Sequence, residues 1–304
     1  MATVRDLLEP AVARLRASGS PSPRLDAELL LGHVLGVDRA AVLAHPEAPV
    51  GTGQVAALES AVSRRERGEP VAYIRGVKEF YGLALTADAR ALIPRPETEL
   101  LVDLGQAWVR SRLTSAPRPA DAPPLVVLDV GTGGGAIAVA LAVTFRRRAY
   151  GAAVHLVATD VSADALALAM ENAVGHGVAD AIDFLRADLL GGAAVAAERS
   201  VDLLLANLPY VPSGDLPGLP VAASFEPVMA LDGGPDGSTV IARLLGDLDR
   251  VLAPDGVAML EIGDGQVERL RSLASGTLRG WTAVTHDDLG GMPRVLELAR
   301  GPRP

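Results

Sequence analysis

The tetrad Asn207-Leu208-Pro209-Tyr210 closes the apolar run Val201–Ala206. A strand that ends this way presents a side-chain amide, a backbone carbonyl and an aromatic face at one point. Amide nitrogen is a poor nucleophile, because its lone pair is delocalised into the carbonyl. A catalyst acting on it must hold the group still and draw density toward nitrogen as the new bond forms. The Asn207 side-chain oxygen and the Leu208 carbonyl offer two acceptors for the N–H groups. Pro209 stiffens the turn, and the Tyr210 ring suits a planar group or a nearby sulfonium methyl. With the proton free to leave after transfer, much of the rate would come from orientation. This chemistry implies methylation of an amide or amino nitrogen.

The electrophile needs its own cradle, and Asp129-Val130-Gly131-Thr132-Gly133-Gly134-Gly135 is the candidate. Gly131 permits a tight strand-to-helix turn, Gly133 a close approach of ligand to backbone, and Gly134-Gly135 a helix start without crowding. Thr132 lies within the same turn. S-adenosylmethionine is the implied cofactor. The same Gly-x-Gly-x-x-Ala pattern also fits a dinucleotide fold or a turn without ligand. Asp129 can anchor the loop or touch the ligand. Asp160, ending Val157-Ala158-Thr159-Asp160, can accept from a ribose diol or cap the helix that begins near Ser162. Asp188-Leu189 offers an acceptor and an apolar contact for an adenine ring, or forms an ordinary surface turn.

These residues need a scaffold that brings strand ends together. From Leu125 the chain alternates strands, expected at 125–130, 153–159, 181–186, 201–206, 256–262, 279–285 and 293–299, with helices near 135–144, 162–174, 239–252 and 264–274. Such βαβ alternation implies a mostly parallel sheet with helices on both faces, and ligands there bind beyond the carboxyl ends of the strands. Upstream, Thr3 and Ser22-Pro23 open two helices, Gly36 stops the second, Asp38 starts a third, and a fourth runs from Thr52 to Arg67. Residues 71–74, 80–85 and 91–93 read as strands of a connecting hairpin. A helix follows over 97–113, and 115–124 reads as a Pro/Ala-rich linker.

Composition narrows the chemistry. The 304 residues are 49% hydrophobic, enough for a sizeable core. There is no cysteine, so thiolate nucleophiles, disulfides and Cys-based zinc sites are excluded. Five scattered histidines form no HExxH pattern, and no metal site is expected. Residues 1–90 carry 11 Lys/Arg and 11 Asp/Glu, so the net charge of −9 lies wholly in residues 91–304. An acidic catalytic half disfavours direct binding of bare nucleic acid. With no apolar stretch of membrane-spanning length and no signal-peptide pattern in MATVRDLLEP, the expected location is the cytoplasm.

Several further motifs carry a family resemblance. They are Ser22-Pro23-Arg24-Leu25-Asp26-Ala27-Glu28-Leu29-Leu30, Gly68-Glu69-Pro70-Val71-Ala72-Tyr73-Ile74 with Glu79-Phe80-Tyr81-Gly82, and Ile93-Pro94-Arg95-Pro96-Glu97-Thr98-Glu99. Phe225-Glu226-Pro227, the run from Ala230 to Gly237, and Glu261-Ile262-Gly263 with Gln266 continue the series. In this order, over nearly the full length, the chain resembles the release-factor glutamine methyltransferases (the PrmC/HemK family). The resemblance implies a seven-stranded, mostly parallel S-adenosylmethionine-dependent methyltransferase sheet with an antiparallel last strand. It implies a helical substrate-docking domain over 1–70, a β-hairpin over 71–96 and the methyltransferase domain over 97–304. It also implies methylation of the glutamine in the Gly-Gly-Gln motif of peptide chain release factors. Gly131, Thr132, Gly133, Gly134, Gly135, Asp160, Asp188, Leu189 and Asn207 would contact the cofactor, and Asn207 to Tyr210 would hold the glutamine amide. The family usually has proline at Leu208, and a hydroxyl or other small residue at Gly134. Asn-Leu-Pro-Tyr also resembles the tetrad of adenine dimethyltransferases, which leaves adenine N6-methylation of RNA or DNA as the alternative. A nicotinamide-dependent oxidoreductase and a non-catalytic release-factor-binding module are more distant readings. Residues 191–200 and 211–223 are expected to move on substrate binding.

Overall fold

The computed structural model describes residues 1–115, 119, 122–191 and 199–301. Most of the expected linker, and residues 192–198 of the segment expected to move, lie outside the described residues. The chain divides into two compact units. The first comprises Met1–Lys78, Ala87–Ala89 and Leu219–Phe225; the second comprises Glu79–Thr86, Arg90–Gly218 and Glu226–Pro304.

The first unit is helical. A short strand β1 (Ala2–Thr3) pairs with β2 (Pro49–Val50), and helices α1 (Val4–Ala17), α2 (Pro23–Leu35), α3 (Arg39–Ala44), α4 (Thr52–Glu66) and α5 (Val71–Arg75) complete it. Thr3 opens α1 with a capping box: its hydroxyl accepts from the Asp6 N–H, and the Asp6 carboxylate accepts from the Thr3 N–H. Pro23 starts α2, and Gly36 at φ 70° ends it. Leu8, Val12 and Leu15 of α1 meet Ala27, Leu30 and Leu31 of α2 and Leu58 and Val62 of α4 in one buried cluster. Residues 71–74, expected as a strand, form α5. The β-rich composition misleads because Ile74 is buried within that helical cluster and Val71 packs against it, so packing overrides intrinsic preference.

A hairpin of β3 (Val77–Phe80) and β4 (Leu83–Thr86) follows, whose Phe80, Leu83 and Leu85 enter the core of the second unit. Residues 91–93, expected as a third strand of this hairpin, join no ladder. The Ile93 N–H donates instead to the Glu226 carboxylate at 3.0 Å. Helix α6 (Glu99–Thr114) leads into β5 (Leu125–Val130), α7 (Ala136–Arg147), β6 (Val154–Asp160), α8 (Ala163–Gly175), β7 (Ile182–Arg186) and β8 (Val201–Ala206). The remainder is α9 (Thr239–Val251), β9 (Leu252–Glu261), α10 (Val267–Thr277), β10 (Trp281–Asp287) and β11 (Pro293–Arg300). Helix α10 begins later than expected, because Gly265 at φ 75° extends the preceding turn.

The seven strands lie in the order β10-β11-β9-β8-β5-β6-β7. The pairs from β9 through β7 are parallel, and β11 runs antiparallel to both its neighbours. This is the seven-stranded, mostly parallel methyltransferase sheet expected from the sequence. The chain winds outward from β5 through β6 to β7, then returns to β8 on the other side, so the order switches between β5 and β8. The carboxyl ends of these two strands therefore diverge into opposite connections and leave a crevice. The strands are buried on both faces: Val127, Leu203 and Leu205 face one core cluster with α6 and α7, while Leu128, Leu204 and Leu260 face another with α9 and α10. Gly105 in α6 permits close approach to β8, since a Cβ there would stand 3.0 Å from the Leu205 side chain. Among the described residues, no helix is long and apolar enough to cross a membrane. Leu205→Ala removes a fully buried side chain at the centre of this packing, and should lower unfolding free energy by about 2–5 kcal/mol in chemical denaturation.

Candidate functional site

The glycine turn leaves β5 at the switch in strand order. The N–H groups of Gly131 and Thr132 both donate to the Thr159 carbonyl of β6 at 2.8 Å, which folds the turn back over the sheet. Gly131, Gly133 and Gly135 all have positive φ, at 71°, 55° and 83°. Gly135 is the N-cap of α7, and a Cβ there would stand 2.9 Å from the Ala169 Cβ of α8. The Gly134 carbonyl accepts from the Asn172 side chain at 2.9 Å.

Two carboxylates hold this turn. Asp129 is fully buried; one oxygen accepts from the Thr132 hydroxyl at 2.6 Å and from the Ala138 N–H at 3.2 Å. Its other oxygen, Oδ1, is buried without a partner. Burial pushes its pKa up to about 7, against the opposing pull of those two hydrogen bonds. Asp160 accepts from the Gly133 N–H at 2.9 Å and from the Ser162 N–H at 2.8 Å. It therefore braces two turns, while the N-cap of α8 is Ser162, whose hydroxyl accepts from Ala165. Burial raises the Asp160 pKa as well.

Above these carboxylates opens a cleft of about 400 Å³. It is lined by Gly131 to Gly134, Asp160, Asp188, Leu189, Asn207, Leu208 and Pro209, among others. The structure thus brings together at one cavity nearly all the residues singled out in the sequence. Gly135 and Tyr210 are not among its lining residues. The Asp188 carboxylate pairs with Arg243 at 2.7 Å, so in this state its side chain serves an ion pair at the cleft edge. Leu189 adopts φ 54°, a left-handed conformation that a branched side chain rarely takes and that occurs preferentially at functional sites. Among the described residues, no cluster of three or more His, Cys, Asp or Glu is placed to hold a metal ion.

The tetrad forms the facing part of the cleft. The Asn207 side-chain N–H donates to the Thr98 hydroxyl at 3.0 Å, which leaves its Oδ1 as the acceptor. The Leu208 side chain is buried; a Cβ added to Gly131 would stand 2.9 Å from its Cδ2. Leu208 therefore packs the tetrad directly against the glycine turn. The Tyr210 ring lies on the Gly263 backbone, and its hydroxyl stands 3.5 Å from Glu261. Burial and the negative charge of Glu261 push its pKa up to about 12. Gln266 clamps the turn: its side-chain N–H groups donate to the Tyr210 and Gly237 carbonyls at 3.0 and 3.2 Å, and its oxygen accepts from Gly263. Beyond Tyr210, Val211 exchanges backbone hydrogen bonds with Leu231 and Gly233.

Residue-level reading of the sequence missed Thr98, Glu226 and Glu261. Glu226 accepts from Ile93 and pairs with Arg95 at 2.5 Å, so it fastens the segment leading to Thr98. Glu261 is 1% exposed, and burial raises its pKa to about 7. A glutamate closing an apolar strand is a signal that could have found Glu261, and a threonine before a helix one that could have found Thr98.

Asp129 and Glu261 are both more basic in the folded chain than in an unfolded one, so folding takes up protons between the two values. Their contribution to stability is complete below about pH 4 and is lost as pH rises through about 7. Thermal unfolding of the ligand-free protein should show a midpoint that these two groups lower as pH rises from about 4 to about 7, and that they no longer change above it. The slope should be shallower in Asp129→Asn and in Glu261→Gln.

Comparison with known proteins places this geometry in a family. Residues 6–76 match the PrmC N-terminal domain, and residues 127–223 match a methyltransferase domain. The release factor glutamine methyltransferase of Deinococcus radiodurans is 36% identical, over 98% of this chain and 98% of the relative. That of Chlorobaculum tepidum is 39% identical, over 90% of each. Among solved structures, the hMettl16 catalytic domain, in complex with a 3'UTR hairpin, superposes with a TM-score of 0.53 at 13% identity, covering 83% of this chain and 84% of that one; it shares the fold. The near-complete coverage by relatives of one name decides the matter: this chain belongs to the release factor glutamine methyltransferases.

Proposed function

We propose that this protein transfers the methyl group of S-adenosylmethionine to the side-chain amide nitrogen of the glutamine in the Gly-Gly-Gln motif of peptide chain release factors. The observation that carries the reading is the Asn207 amide. Its N–H is committed to Thr98, so its oxygen is left to accept at a cleft whose other wall is the glycine turn. That pairing of an acceptor with a ligand cradle is what amide methylation requires.

The residues of the cleft fit the cofactor. Backbone at Gly131, Gly133 and Gly134 is bare of Cβ atoms where a ligand would approach, and Asp160 lines the cavity with lone pairs left beyond its two backbone bonds. The unpartnered Asp129 oxygen beneath the turn places negative potential near a site suited to a cation. When bound, S-adenosylmethionine supplies an electrophilic methyl on a positively charged sulfur. Gly131 to Gly135, Asp160, Asp188, Leu189 and Asn207 would hold it, with the Asp188 backbone available while its side chain stays with Arg243.

Asn207 and the Leu208 carbonyl would accept from the two amide N–H groups of the substrate, and Pro209 would fix the turn between them. The Tyr210 hydroxyl faces Glu261 and its ring rests on Gly263, so its first contribution is to shape the turn. The helical unit would dock the release factor, within domains bounded near residues 70 and 96. A cytoplasmic location, and no direct contact with bare nucleic acid, accord with this substrate and with the acidic catalytic half.

Incubation with labelled S-adenosylmethionine and a release factor should label the factor. A Gln-to-Ala change in its Gly-Gly-Gln loop should abolish the label; persistence of the label would overturn the assignment of the target. Asn207→Ala should lower kcat by about 10²-fold or more, the scale for loss of one preorganised transition-state partner. Cofactor affinity, read by calorimetry, should change much less. Gly131→Ala, which meets Leu208 at 2.9 Å, should weaken cofactor binding and turnover together.

A further inference from the structure

The amide of Asn207 has two ends of nearly equal shape and opposite hydrogen-bonding sense. Catalysis under the proposed function needs the oxygen, and not the NH₂, turned to the substrate. Thr98 alone does not impose this, because a hydroxyl donates or accepts equally well. Its single proton must be committed elsewhere before it becomes an acceptor toward Asn207.

The Glu261 carboxyl stands to accept that O–H in a hydrogen bond. The Thr98 hydroxyl interacts with it and pulls its pKa down, against the larger upward push of burial. Glu261 is 1% exposed at the end of β9, and its Oε2 has no hydrogen-bond partner. The Tyr210 hydroxyl, Arg294 and Glu97 are the other titratable groups that bear on it. A buried carboxyl is a poor structural element unless something uses its acceptor strength. Thr98 is itself 3% exposed, yet it lines the cleft beside Asn207. It stands at the N-cap of α6 without making a side-chain capping bond, so its hydroxyl is not engaged in starting the helix.

We infer that Thr98 and Glu261 are positioning residues: the Thr98 O–H donates a hydrogen bond to Glu261, its oxygen is left as the acceptor for the Asn207 N–H, and the Asn207 oxygen is thereby turned toward the substrate amide. The inference rests on the role given to Asn207 above. It assigns a function in this chain to a buried threonine and a buried glutamate drawn from two distant segments.

Thr98→Val keeps the shape and removes the hydroxyl, Thr98→Ser restores it, and Glu261→Met keeps volume without an acceptor. Single-turnover methylation of a release factor should slow at least tenfold in Thr98→Val and in Glu261→Met. The KM for release factor and the Kd for S-adenosylmethionine should stay within about threefold, and Thr98→Ser should stay within about threefold of the starting rate. In nuclear magnetic resonance spectra, the side-chain amide signals of Asn207 should move in Thr98→Val and Glu261→Met but not in Thr98→Ser. A Thr98→Val protein at full rate, or a Thr98→Ser protein as slow as Thr98→Val, overturns the inference. If the unaltered chain labels no release factor, the proposed function falls instead. The Asn207 signals then still decide whether Thr98 and Glu261 set its orientation.

Discussion

Burying the Asp129 carboxyl at the carboxyl end of β5 is unfavourable by itself, and the site is built around recovering that loss. The Thr132 hydroxyl and the Ala138 N–H converge on one oxygen, which fixes both the path of the glycine turn and the first turn of α7. The turn then has no room for side chains at Gly131 and Gly135, because Leu208 and Ala169 fill the space where their Cβ atoms would stand. The remaining oxygen has no donor among the described residues. A charge held without a partner in a low-dielectric place raises the value of any cation brought near it.

Leu208 gives the tetrad a second connection. With proline there, the usual family residue, the turn is stiffened from within the backbone. Here a leucine side chain enters the core beside Leu128, Val130 and Leu260, and lies under Gly131. Rigidity of the tetrad is obtained through packing on the glycine turn, so the two halves of the cleft share a contact.

Much of the architecture was legible in the sequence. Alternating apolar runs gave the parallel sheet, and Thr3, Pro23 and Gly36 bounded the first helices, because capping and turn chemistry act over a few residues. Residues 71–74 misled for the opposite reason: their β-branched character is local, while Ile74 answers to a helical core assembled from distant residues. The cleft residues were legible because glycines and an Asn-x-Pro-Tyr turn have few other uses. Glu226 and Glu261 were visible only as family motifs. Their partners, Ile93, Arg95, Tyr210 and Thr98, come from other segments, and no spacing rule encodes such contacts.

The switch in strand order also shapes how the chain comes into being. β5 can pair with β6 soon after both are made, but its other edge waits for β8. The Val126 N–H that meets Asp202 does so across 76 residues. At a synthesis rate of about 5–20 residues per second, that edge stays open for roughly 4–15 s. During this interval a Val- and Leu-rich strand faces the nascent chain's surroundings with its backbone unpaired. Asn207 lies 109 residues from Thr98, and Glu261 arrives later still. The glycine turn can therefore begin to form before Asn207 is made, and β8 seals the exposed edge in the same step that delivers the tetrad.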